Sequence, residues 1–138
     1  MDFKECLKKR IAKEVNEDKE LIDSLIKTSQ NKFDSEKKLE LNDVTSNSKI
    51  SLLYDSLREL LEALAIKNKY KIYNHECYTY FLKEILNESI KGDEFDDLRK
   101  IRNNINYYAK DITIEEAKDL LERIMKLREE ISNLLLLR

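Results

Sequence analysis

The sequence predicts an all-α fold. Proline is absent and glycine occurs once in 138 residues, which leaves little of the turn chemistry that a sheet-rich fold requires. Apolar residues return at three- and four-residue spacing almost throughout, the period of a helix with one buried face. The 41% apolar content is enough for a single compact domain over residues 1–138 that buries about two-thirds of its unfolded surface. The expected architecture is an up-down bundle of about five or six helices.

Phe3, Leu7, Ile11 and Val15 step by four and predict a short first helix. Leu21, Ile22, Leu25, Ile26, Ser29 and Phe33 continue as a second, running to about Leu41. The stretch Asn42 to Lys49 reads as a loop, because its Asn, Asp, Ser and Thr side chains compete for backbone hydrogen bonds. Ile50, Leu53, Tyr54, Leu57, Leu60, Leu61 and Leu64 give the strongest helical stripe and should be central to the core. After the interruption "KNKYKIYNHE", Cys77, Tyr78, Phe81, Leu82, Ile85 and Leu86 predict a fourth helix. Gly92 is expected to end it and Asp93 to cap the next. Thr113 and Glu116 have the spacing of a capping box. A long last helix follows, marked by Ala117, Leu120, Leu121, Ile124, Leu127, Ile131, Leu134 and Leu135.

Charged residues make up 39% of the chain but nearly cancel, at a net charge of -2. A protein that coats nucleic acid through bulk charge is thereby disfavoured, and any RNA contact must be local. Cys6 and Cys77 lie far apart, with no CxxC pair and no second histidine beside His75. These features suggest a reducing cytoplasm, no disulfide framework and no zinc or other metal site, and no cofactor is expected. The longest apolar run, Leu134 to Leu137, is too short for a bilayer, so no membrane association is expected. The Lys/Glu/Ile-rich composition reads as that of a protein from a hot environment.

The chemistry-bearing segment is "LRKIRNNINYY", Leu98 to Tyr108. On a helix after Asp93, Leu98, Ile101, Ile105, Tyr108 and Ile112 should face the core, with Phe95 at its margin. Arg99, Arg102, Asn103, Asn106 and Lys110 then form a polar stripe away from it. Guanidinium groups bind phosphate bidentately and asparagine amides pair with phosphate or base edges, so the stripe suits a phosphodiester. Its plain alternative is a solvated face.

Two stretches, Leu57 to Ile85 and Phe95 to Ala117, resemble the HEPN family, and in particular its compact stand-alone archaeal members. These are small all-α domains of prokaryotic toxin-antitoxin and RNA-processing systems. The family motif is an arginine, usually followed by a polar residue, and then after a short gap a histidine. Arg102 and Asn103 match its first half. The histidine position falls on Tyr107 at the shortest gap and on Tyr108 or Ala109 at longer ones. The resemblance implies that Arg102, Asn103 and Tyr107 stand at the catalytic positions of a metal-independent ribonuclease. A phenol with a pKa of about 10 is a poor general base at neutral pH, however. A binding surface centred on Arg99, Arg102, Asn103 and Asn106, with Tyr108 beside it, is the reading that remains.

The resemblance also implies a homodimer formed by packing motif helices together, and an outward Tyr107 suits such an interface. It further implies a minimal nucleotidyltransferase as partner, for which Tyr107 would be an acceptor. His75, the only histidine, could reach the motif helix through the fold and supply the missing base. A Cys77–His75 nucleophilic pair is disfavoured, since on one helix the two would point about 200° apart, and Cys77 is expected in the core. The sequence therefore predicts a HEPN-like, dimeric binding module for RNA, nucleotide or a partner protein, such as a degenerate toxin. Its alternatives are an active ribonuclease or a purely structural helical adaptor.

Overall fold

The structure, a computed structural model, describes residues 1–107 and 112–136, with the side chains of Asn106 and Tyr107 outside that description. It is an all-α bundle, 75% helical, with a very small two-stranded sheet. In chain order the elements are α1 (Phe3–Lys8), β1 (Ala12–Glu14), α2 (Lys19–Lys37), α3 (Ser46–Lys67), β2 (Tyr70–Ile72), α4 (Glu76–Tyr80), a π-helical turn (Phe81–Ile85), α5 (Ser89–Tyr107) and α6 (Ile114–Leu136).

The apolar stripe of α3 is buried along its length, and the helix packs most extensively against α2 and α6. Leu53, Tyr54, Leu57, Leu61 and Leu64 are fully enclosed, which is what the i, i+3, i+4 repeat demands of a central helix. From α6, Ala117, Ile124, Leu127 and Ile131 close the same core. The capping box at the start of α6 forms as expected: Glu116 N donates to Thr113 Oγ1 and Thr113 N to Glu116 Oε1, both at 3.1 Å.

Several boundaries differ from the sequence expectation. The first helix stops at Lys8, because Arg10 adopts a left-handed conformation with φ 60°, and the chain then runs extended. Ala12, Lys13 and Glu14 pair antiparallel with Ile72, Lys71 and Tyr70, so the stretch between α3 and α4 that reads as a break is in part a strand. The expected loop at Asn42 to Lys49 lies four residues earlier, at 38–45, since α2 ends at Lys37 and not near Leu41, and α3 begins at Ser46. Lys49 is buried, with its ammonium bonded to Glu36 O at 2.9 Å, Leu39 O at 2.6 Å and the Glu36 carboxylate at 2.9 Å. It thereby closes the C-terminal end of α2.

A further difference is at Gly92, which lies inside α5 and terminates nothing. The turn is made by Asn87, with φ 55°. Gly92 is required for close approach: a Cβ there would sit 3.0 Å from Thr79 O and collide with the Lys83 side chain.

Cys6 and Cys77 form a disulfide that joins α1 to the start of α4. Both residues are fully buried, so Cys77 is a core residue as expected, but a bonded one. Separation of 71 residues in sequence says nothing about proximity once the β1–β2 pairing brings the chain back on itself. The cysteine argument for a reducing compartment falls with this bond. No helix among the described residues is long and apolar enough to cross a membrane.

Candidate functional site

α5 lays Phe95, Leu98 and Ile105 into the core. Phe95, expected at the margin, is completely enclosed and stacks on Tyr54 of α3, with ring centres 6.1 Å apart. This depth draws the neighbouring arginines inward. The Arg99 side chain is only 13% exposed and that of Arg102 18% exposed, so the first turns of the polar stripe are not a free solvent face. Asn103 is half-buried one residue further on.

Arg102 reaches across to α3. Its guanidinium carbon lies 5.0 Å from the centre of the Tyr54 ring, within cation–π range. Its ion pair with Asp55 is loose, at 3.8 Å. Arg99 is held more firmly, with Nη2 2.7 Å from Asp96 one turn earlier, and Lys100 reaches the other oxygen of that carboxylate at 2.9 Å. Burial works against ionisation of Asp96, but the hydrogen bonds from Arg99 and Lys100 outweigh it and hold the carboxyl below its ordinary range. A third guanidinium, Arg58, stands one turn beyond Tyr54 on α3 and pairs with Glu62 at 3.1 Å. The Nε atoms of both Arg99 and Arg102 are buried without a hydrogen-bond partner among the described residues. Orphaned buried donors of this kind are uncommon.

His75 completes the cluster. Asn74 Oδ1 accepts from Glu76 N at 2.8 Å as the chain leaves β2, and the tight turn sets the imidazole against α3. The Tyr54 hydroxyl lies 3.5 Å from His75 Nδ1, and the two ring centres are 6.2 Å apart. Tyr78 packs on the other side, 6.4 Å from the imidazole centre. Burial, followed by the charges of Arg58, Arg102 and Arg99, pushes the His75 pKa down, with Asp55 opposing. The imidazole is consequently neutral at pH 7. Burial raises the Tyr54 hydroxyl to about 12 despite the same arginines, so the phenol stays protonated and its ring serves as a platform.

The structure therefore brings together Arg99, Arg102 and His75 from the sequence-predicted set. Asn103 sits at their edge. The side chains of Asn106 and Tyr107, together with Tyr108, Ala109 and Lys110, lie outside the described residues. Sequence reasoning missed Arg58, Asp55 and Asp96 and took Tyr54 for core alone. Asp96 was findable, since it precedes Arg99 and Lys100 by three and four positions. Asp55 and Arg58 had no such signal, because Asp55 meets Arg102 and Arg58 acts on His75 only through the tertiary fold. No group of acidic, histidine or cysteine side chains suited to a metal occurs among the described residues.

No protein-family model, curated protein or solved structure matches the chain.

Proposed function

We propose that this chain is a HEPN-like RNA-binding module that holds the RNA backbone at the Arg58, Arg99 and Arg102 cluster. The observation that carries the reading is the state of Arg102: it is mostly buried on Tyr54, loosely paired, and has an unsatisfied Nε. Guanidinium donors left free in a partly desolvated niche bind phosphate bidentately. An acidic chain with such a niche fits local contact with RNA. Fluorescence anisotropy with a labelled single-stranded RNA tests the proposal. Arg102→Ala should weaken binding at least about tenfold, the loss of one charge-assisted contact, and undiminished binding would refute it.

A second reading, metal-independent cleavage of RNA, is favoured by one specific observation. His75 lies against the Tyr54 hydroxyl, and Arg102 lies over the ring of the same residue, so a group able to accept a proton and a phosphate-binding cation meet at one tyrosine. In this reading the imidazole takes the proton from a ribose 2′-hydroxyl, and Arg102 stabilises the charge gathering on phosphate. Incubation of RNA with the protein in EDTA decides it. Cleavage lost in both His75→Ala and Arg102→Ala supports the second reading, and intact RNA leaves binding alone.

The proposed assembly is a homodimer through the helix that carries Tyr107, with a minimal nucleotidyltransferase as partner. Transfer of a nucleotidyl group from a nucleoside triphosphate to the Tyr107 phenol, with pyrophosphate leaving and the phenol proton lost, would add negative charge to the helix that carries Arg99 and Arg102 and weaken RNA binding. A cytoplasmic location remains part of the proposal. Intracellular proteins of hot-growing organisms keep disulfides, and the composition reads that way.

A further inference from the structure

A different arginine, on the opposite flank of α3, has no counter-ion. Arg128 of α6 is 9% exposed, and among the described residues the one carboxylate whose charge it feels, Asp34, lies beyond ion-pair distance. Its Nε donates to Ser56 Oγ at 2.5 Å and its Nη2 to Ser29 Oγ at 3.2 Å. These two hydroxyls are 3.0 Å apart. Each gives its own proton to the other residue's carbonyl, Ser29 to Ser56 O at 2.6 Å and Ser56 to Ser29 O at 2.9 Å. Both serine oxygens therefore face the guanidinium as acceptors and fill its side-on edge. The end-on edge, Nη1 with the outward proton of Nη2, has no partner among the described residues.

That edge borders a groove of about 420 Å³ between α2 and α6. Phe33 and Met125 supply its apolar surface, and Glu122, Lys126, Glu129 and Ser132 line the remainder. The Phe33 ring centre is 4.3 Å from the Arg128 guanidinium carbon and 4.1 Å from Lys37 Nζ. Two cations are thus gathered on one aromatic side chain, neither in an ion pair among the described residues.

We infer that this groove binds a small organic monocarboxylate, its carboxylate held end-on by Arg128 and its apolar body resting on Phe33 and Met125. A mostly buried guanidinium without a counter-ion is costly even with its two serine hydrogen bonds, and an apolar side chain of similar length would pack there at no such cost. The two parallel N–H donors of the free edge match the two oxygens of a carboxylate. Phe33 and Met125 in the same groove favour an anion with an apolar body, which separates this ligand from phosphate. Burial pushes the Arg128 pKa below its ordinary value, with Asp34 opposing. The inference is independent of the RNA site.

Isothermal titration of the full chain with 3-phenylpropionate tests it. Saturable binding is expected, with 3-phenylpropionamide weaker by at least about tenfold for want of the charge. Inorganic phosphate should fail to displace the acid. Arg128→Met should abolish binding while RNA binding and thermal stability are kept. Where Arg128→Met does not fold, Ser132→Trp fills the groove without touching the serine pair and should abolish binding instead. Absence of binding by the acid, equal binding of acid and amide, displacement by phosphate, or retained binding in a folded Arg128→Met or Ser132→Trp would each overturn the inference.

Discussion

Arg102 of α5 rests on the ring of Tyr54 of α3, with 5.0 Å from its guanidinium carbon to the ring centre. This stacking, more than the 3.8 Å pair with Asp55, holds the cation between the two helices. A loosely paired, stacked guanidinium contributes little to folding, of order 1 kcal/mol. Arg102→Met should therefore unfold within about 1 kcal/mol of the parent in urea. A loss several times larger would mean that Arg102 is a structural residue.

The pH dependence of stability carries the signature of His75. Its folded-state pKa is lowered by burial and by Arg58 and Arg102, so the unfolded chain binds a proton at a higher pH than the folded one. Stability is then undiminished above the unfolded value of about 6.5. It declines as pH falls below that value, until the folded imidazole also protonates. His75→Gln should remove this acid-side slope in urea titrations between pH 7 and pH 5. An unchanged slope would assign it to other groups.

The Cys6–Cys77 bond closes a loop of 71 residues in sequence separation. On the chain-entropy argument it stabilises the fold by about 4 kcal/mol. Cys77 is two positions from His75, so loss of the bond should also loosen the turn that presents the imidazole. The double variant Cys6→Ala, Cys77→Ala should show a lower urea midpoint than the oxidised parent. Equal midpoints would contradict this account.

Dimerisation through the helix bearing Tyr107 predicts that multi-angle light scattering gives twice the chain mass at micromolar concentration. Tyr107→Asp should return the monomer, because a carboxylate in the interface centre is left desolvated and unpaired. A monomeric parent would remove the composite two-motif cleft.

How much of this was legible depends on whether a feature is local. The stripe of α3 from Ile50 to Leu64, the Thr113–Glu116 capping box and the core-facing phase of Leu98 and Ile105 all repeat within a few residues, and sequence spacing reports them directly. Ala12 and Ile72 were not legible as strand partners. Three residues are too few for an alternating pattern, and Ile11 and Val15 happen to continue a helical step. Gly92 misled for a related reason: a lone glycine suggests a helix end, whereas here it makes room for Thr79 O. At the site, Arg99 and Arg102 could be singled out by residue type on one helix. Their burial could not, since it follows from the depth of Phe95 against Tyr54. The meeting of His75 with Arg102 over Tyr54, and the bond between Cys6 and Cys77, belong to the tertiary fold and leave no mark in spacing.

The most direct test of the central claim is the salt dependence of single-stranded RNA binding. With Arg58, Arg99 and Arg102 each neutralising a phosphate, the slope of log K against log salt should be about -2, near -0.7 per contact. Arg102→Gln should make it shallower by about 0.7 while weakening binding at every salt concentration. A slope near zero, or one that Arg102→Gln leaves unchanged, would contradict an arginine-built RNA site on this protein.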